Sequence, residues 1–224
     1  MPRGEFLIMN KNLKSTEINL KTDYNDAGNI EKQSWTLNGK LHREDGPAEI
    51  QYSANGSVFV EYWYLNGELH REDGPAEILY DRERVWFEKW FSYGTLHRED
   101  GPAFIEYNNS SSGTFISKKW CMHGLTHRTD GPALVEYYPD GSVNKETWAF
   151  GGEIHRVDGP AEITYRLEGS VSRECWYVES VVHREDGPAL IGYTRDGKVD
   201  EEEWWLNGEQ LTEPEFNQRK KFGL

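Results

Sequence analysis

The heptapeptide His-Arg-x-Asp-Gly-Pro-Ala stands six times in this chain, beginning at His42, His70, His97, His127, His155 and His183. The histidines are 28, 27, 30, 28 and 28 residues apart. A fixed period of that size marks one supersecondary unit copied in tandem, so the chain has to fold as a stack of units that bury surface against their neighbours. The repetition also bears on chemistry. A catalytic constellation is assembled once, from groups whose environments differ. Six equivalent sets of His, Arg and Asp read as a structural device or a multivalent surface.

Each unit extends beyond the heptapeptide. Seven residues before every motif histidine stands a tryptophan, Trp35, Trp63, Trp90, Trp120, Trp148 or Trp176, and Trp204 opens a copy that is not completed. Ten residues after each histidine stands a tyrosine, Tyr52, Tyr80, Tyr107, Tyr137, Tyr165 or Tyr193. The Trp-to-Tyr block therefore keeps one length, and all length variation falls between a tyrosine and the next tryptophan. A packed core joined by exposed hairpin tips gives that pattern, because tips tolerate insertion. Ala48-Glu49-Ile50-Gln51-Tyr52 alternates as a half-buried strand does. Asn55-Gly56 signals a tight turn, and the stretch from Val58 to Leu65 is rich in β-branched and aromatic residues. Pro75 suits the entry of the next strand, since proline has no donor. The unit reads as two antiparallel strands per 28 residues, with no sustained helical period.

Residues 18–34 look like a worn half-repeat, with Tyr24 and Gly28 at the repeat offsets. Residues 35–203 hold six repeats, and 204–224 form a truncated cap in which Gln210-Leu211-Thr212-Glu213-Pro214 replaces the motif. Atypical terminal units are usual in repeat arrays. The reading is one all-β domain over 1–224, an elongated antiparallel meander of about fourteen short strands. Closure into a barrel or propeller is the alternative, disfavoured for a propeller because blades take about 40 residues.

Composition narrows the function. Acidic residues outnumber basic ones 39 to 25, a net charge of −14, which argues against direct nucleic-acid binding and against an anionic membrane surface. No apolar run suits a membrane span or a signal peptide. Two cysteines, Cys121 and Cys175, sit at non-equivalent offsets, which fits a reducing cytoplasm better than a disulfide framework.

Within the motif, Asp-Gly before Pro is turn chemistry. The Asp is expected to accept backbone N–H bonds. The arginine can pair with that Asp, with loop carbonyls, with the Glu two residues before most tryptophans, or stack on a tryptophan. The histidine is expected to bond loop backbone with one nitrogen and the next unit with the other. On this reading Arg43 and Asp45 cross-link hairpins with His42, and so do Arg71 and Asp73, Arg98 and Asp100, Arg128 and Asp130, Arg156 and Asp158, and Arg184 and Asp186. A metal reading competes weakly, since each copy offers too few ligands. So does acid–base catalysis by one His/Asp pair, because nothing singles out a copy. His123 replaces the Asn of Asn-Gly and reads as a turn residue. No metal, no cofactor and no enzymatic activity are expected.

Function should then lie where copies differ. The second tip carries Arg84 and Trp86. The third is the longest and leads through Phe115 to Lys118 and Lys119. The last is acidic, with Asp200, Glu201 and Glu203 before Trp204. An aromatic, a long and an acidic tip could compose a protein-binding edge. The competing view is loop drift and a solvated charge run.

The pattern Trp-x-Leu-Asn-Gly-x-Leu-His-Arg-Glu-Asp-Gly-Pro-Ala-x-Ile-x-Tyr, at Trp35–Tyr52 and again at Trp63–Tyr80, resembles tandem repeats of bacterial, phage and large DNA virus proteins. These are loosely similar to the MORN and YwqK-type β-hairpin repeats. The resemblance covers about residues 18 to 212 and implies an interaction or scaffolding module rather than an enzyme. It further implies a viral inhibitor of a host protein or nucleoprotein complex, acting in the host cytoplasm. The alternative reading is an acidic nucleic-acid mimic that blocks a nucleic-acid-binding enzyme.

Overall fold

The computed structural model describes residues 17–107 and 115–222, with Phe115 described in its backbone alone. Fourteen strands follow one another antiparallel in chain order: Asn19–Tyr24, Ile30–Leu37, Glu49–Tyr52, Val58–Tyr62, Glu77–Asp81, Arg84–Lys89, Phe104–Tyr107, Phe115–Lys119, Leu134–Tyr137, Val143–Thr147, Glu162–Tyr165, Val171–Cys175, Leu190–Tyr193 and Val199–Leu206. A fifteenth, Glu209–Leu211, turns back on the last of these. The first and last strands do not pair, so the sheet is an open meander and neither a barrel nor a propeller forms. At a strand spacing of about 4.8 Å, each unit advances the sheet by roughly 10 Å.

Each unit contributes a leading strand that ends in the repeat tyrosine and a return strand that runs up to the next tryptophan. Every hairpin has a register shift just before its tyrosine, so one residue on each return strand is bulged. In the first full hairpin Gln51 faces Val60 and Tyr52 faces Val58, which leaves Phe59 as the extra residue. Bulges add twist and re-aim side chains.

The sheet is a single layer, which explains why few side chains other than alanine are fully buried. The motif alanines Ala48, Ala76, Ala103, Ala133, Ala161 and Ala189 are all inaccessible. Each donates or accepts across the sheet at the junction of two strands: the Trp35 N–H donates to the Ala48 carbonyl at 2.8 Å, and the Ala48 N–H to the Tyr62 carbonyl at 2.8 Å. The rest of the core is divided between the two faces of the sheet. Ile78 and Ile105 are buried on the tyrosine face, whereas Val60, Cys175 and Leu190 are buried on the opposite one.

Two differences from expectation appear. Beyond each tryptophan the chain leaves the sheet as a second, very short hairpin, such as Tyr64–Leu65 with Glu68–Leu69. Four more copies follow, and in the first unit Lys40–Leu41 pairs with the end of Ile30–Leu37. Asn66 and Gly67 turn it with φ of 54° and 90°, the left-handed pair of a type I′ turn. An internal unit thus has four extended segments where two were expected, because a two-residue ladder is too short for alternation to register. The cap also contains a helix, Glu213–Lys221. The Glu215 carboxylate accepts from the Thr212 N–H at 2.8 Å and from its hydroxyl at 2.6 Å, closing a capping box.

Candidate functional site

The motif is a clamp, and its geometry accounts for every repeated residue. In the first unit the Arg43 guanidinium lies 4.4 Å from the Trp35 ring centroid. Its Nε donates to Asp45 Oδ1 at 2.8 Å and its second nitrogen to the Pro47 carbonyl at 3.4 Å. Its other face meets Gly46, where a Cβ would come within 2.8 Å of the guanidinium carbon. The same stack recurs at Arg71, Arg98, Arg128, Arg156 and Arg184 over Trp63, Trp90, Trp120, Trp148 and Trp176, at 3.9–4.3 Å. Cation–π contact, a charge-assisted hydrogen bond and the flat glycine backbone together fix a planar group that lysine could not replace.

The acid partner behaves differently from the expectation. Asp45, Asp73, Asp100, Asp130, Asp158 and Asp186 project into solvent and bond the arginine rather than collecting loop N–H groups. The arginine hydrogen bond and then its charge hold the Asp45 and Asp130 carboxyls below the usual range. The Glu two residues before the tryptophan does not pair with the motif arginine. It accepts the hydroxyl of the tyrosine on the next leading strand: Tyr80 on Glu61 at 2.8 Å, Tyr107 on Glu88 at 2.6 Å, Tyr165 on Glu146 at 2.7 Å and Tyr193 on Glu174 at 2.6 Å. Burial and then the carboxylate bond raise these phenols, Tyr193 to about 12.

The histidines make the inter-unit link. Nδ1 of His42 accepts the Asn66 N–H at 3.1 Å, 24 residues ahead, while Nε2 faces Glu44 at 3.7 Å. His70, His97, His127, His155 and His183 accept from Tyr93, His123, Gly151, Glu179 and Asn207, each the first left-handed residue of the next short hairpin. His123 is a turn residue, with φ of 50° and its ring stacked on His97. Among the described residues no three His, Cys, Asp or Glu side chains converge as metal ligands.

With the repeated residues absorbed in the clamp, the exposed differences remain. No protein-family model and no curated protein matches this sequence. The site therefore rests on the geometry of this chain.

Trp86 is the bulged residue of its hairpin, since Tyr80 faces Val85 and Leu79 faces Phe87. It is 40% exposed. The same bulge position, four residues before each repeat tryptophan, holds Phe59 in the preceding hairpin and Ile116 in the following one, 44% and 38% exposed. Three successive hairpins thus each present an apolar side chain at one offset, while later ones carry Asn144, Ser172 and Asp200. Phe59 and Ile116 escape a reading based on unusual tips. Aligning the chain on its tryptophans would have found them.

The other residues of the expected patch divide. Arg84 is exposed at the head of its strand beside the two-residue turn Arg82-Glu83. Beyond the bulge, alternation places Lys118 and Lys119 on opposite faces, and Lys118 lies 5.5 Å from the Tyr137 ring. The two lysines do not act as one basic pair. The Phe115 side chain and the third tip, 108–114, lie outside the described residues. Asp200 and Glu201 are exposed on the final long strand, whereas Glu203 is half-buried and accepts the Trp205 indole N–H at 2.8 Å. No helix among the described residues is long and apolar enough to cross a membrane.

Proposed function

We propose that this protein is a non-enzymatic, protein-binding repeat scaffold whose docking strip runs over Phe59, Trp86 and Ile116. The observation that carries the reading is the recurrence of exposed apolar side chains at one bulge offset in three adjacent hairpins. A bulge on a regular sheet holds each side chain at a set spacing, roughly 10 Å from its neighbour, so the strip is presented with little entropy left to lose on binding. Exposed aromatics with a nearby arginine, here Trp86 and Arg84, have the composition of interface hot spots. The motif groups support the same reading, because histidine Nδ1 atoms and arginines are engaged in holding the array together.

The partner on this reading is a protein with a complementary apolar groove, and the surrounding carboxylates favour one with a basic rim. The test is affinity capture from a host lysate with mass spectrometry, followed by titration of the recovered partner. The combined Phe59→Ala, Trp86→Ala and Ile116→Ala variant should lose about a hundredfold or more in affinity while its melting temperature stays near that of the parent. Undiminished binding by the folded variant removes the strip from the interface.

A second reading, the acidic nucleic-acid mimic, is favoured by one observation. Glu44 and Asp45, and their counterparts at Glu72 and Asp73, Glu99 and Asp100, and Glu185 and Asp186, put paired solvent-facing carboxylates on four of the six units, and Asp130 and Asp158 put single ones on the other two. Competition with DNA for the captured partner separates the two readings.

A further inference from the structure

The two ends of the array are complementary halves of one junction. Inside the chain every junction joins the outer edge of a return strand to the leading strand that follows. Three features define it. The tryptophan N–H donates to the motif alanine carbonyl, at 2.7–2.8 Å in all six copies. In five of the six junctions the residue two before the tryptophan accepts the tyrosine hydroxyl of the leading strand, as Gln33 does from Tyr52 at 2.6 Å. In two junctions the residue three before the tryptophan forms an ion pair with the residue three before the tyrosine, Lys32 with Glu49 at 2.6 Å and Lys145 with Glu162 at 2.7 Å.

The last return strand, Val199–Leu206, has no leading strand beside it among the described residues. Its Trp204 ring is nevertheless covered, because Phe216 of the terminal helix lies 4.8 Å away where a motif arginine would stand. The helix replaces the clamp, and Glu209–Leu211 covers the outer edge from Trp204 onward, which leaves the edge of Val199 to Glu203 open among the described residues. Glu202, at the tyrosine-accepting position, is exposed. By the alternation of an antiparallel ladder its backbone groups turn outward with those of Trp204.

At the other end Asn19–Tyr24 is a leading strand with no return strand before it among the described residues. Tyr24 occupies the repeat tyrosine position and is 61% exposed, and Leu20, at the alanine position, is 54% exposed. Lys21 stands three before Tyr24, and Glu201 stands three before Trp204. These are the ion-pair positions of the internal junctions, with the signs exchanged. Asp23 would fall opposite Glu201, and Lys21, already 2.8 Å from Asp23, would lie between the two carboxylates.

We propose that the chain assembles head to tail, the Asn19–Tyr24 strand of one copy docking on the outer edge of Val199–Leu206 of the next. The Tyr24 hydroxyl donates to Glu202 and Lys21 pairs with Glu201, on the stretch of edge ahead of Trp204, whose own backbone is paired with Leu211. The contact is heterologous, so it extends beyond a dimer into a filament or a ring.

Sedimentation of the full chain over a wide concentration range tests this. The expected result is a weight-average mass that rises past the dimer with concentration. Lys21→Glu should weaken association on the order of tenfold by placing like charges together, and the double variant Lys21→Glu/Glu201→Lys should restore it. Both positions are exposed, so circular dichroism and melting should match the parent. A chain that stays monomeric at every concentration, one that stops at a dimer, or a Lys21→Glu variant that associates as the parent does overturns the proposal.

Discussion

The arginine of the clamp shows how much one side chain can be asked to do. It stacks on an indole, bonds a carboxylate and a carbonyl, and lies flat on a glycine, while its own N–H reaches the next unit, as Arg128 does to the Ala149 carbonyl at 3.2 Å. Removing it should therefore cost more than removing its acid partner, which is mostly in solvent. Arg128→Ala is expected to lower stability in urea by about 2–3 kcal/mol. Arg128→Lys should recover little of it, since an ammonium cannot stack and fork at once. Gly131→Ala, whose Cβ would stand 3.0 Å from the Arg128 guanidinium carbon, should destabilise by roughly 1–3 kcal/mol. Asp130→Ala should be milder than all three. Equal urea midpoints for Arg128→Lys and the parent would show that charge alone, without the planar stack, holds the turn. The residue types of this clamp were legible in the sequence because they repeat. The partner of the tyrosine was not, because Glu61 and Tyr80 are 19 residues apart and meet only through the register of neighbouring strands, in which Glu61 faces Ile78.

The long strands were legible for the same reason that the short hairpins and the helix were not. Ala-x-Ile-x-Tyr is long enough for alternation to show, whereas Tyr64–Leu65 and its counterparts are two residues each. The turn at Asn66-Gly67 was visible in the sequence, but what it joined was not. The unit at Glu179-Ser180 lacks both Asn and Gly and still adopts φ of 49° and 63°, so there the fold overrides the local preference. The helix buries one side chain, Phe216, and so carries no apolar stripe. Its visible trace was the capping box, Thr212 followed by Glu215. Phe216 is 1% exposed and is the largest of the fully buried side chains. Phe216→Ala should open the face of Trp204 and cost about 3–4 kcal/mol within the terminal unit. A red-shifted tryptophan emission and lost helical dichroism, with the internal units intact by hydrogen exchange, would record it. Unchanged emission would mean that the helix does not stand in for the missing arginine.

At the scale of the whole molecule, two types of repeated contact each give a pH limit. The motif carboxyls are lowered by their arginine hydrogen bonds and charges. Their contribution is complete above the ordinary carboxylate value, about 4, and is lost as pH falls through the depressed values. The tyrosines Tyr80, Tyr107, Tyr165 and Tyr193 are raised by burial and then by their carboxylate bonds. Their contribution is complete below the ordinary phenol value, about 10, and is lost as pH rises toward the folded values, about 12 for Tyr193. The urea midpoint should thus fall at pH below the lower limit and above the upper one, and Tyr107→Phe should soften the alkaline fall. An alkaline limb unchanged in that variant would assign the loss to other groups. The inter-unit bonds also set an order in time. His42 waits for Asn66 and Arg43 for the carbonyl of Tyr64, so a unit emerging from the ribosome is unfinished until about one further repeat has been synthesised. The chain can then mature at the pace of translation, one unit behind the exit tunnel, with contacts local enough to close quickly. A pause anywhere along the array would leave a single open clamp waiting at the growing end, while everything made before it is already locked.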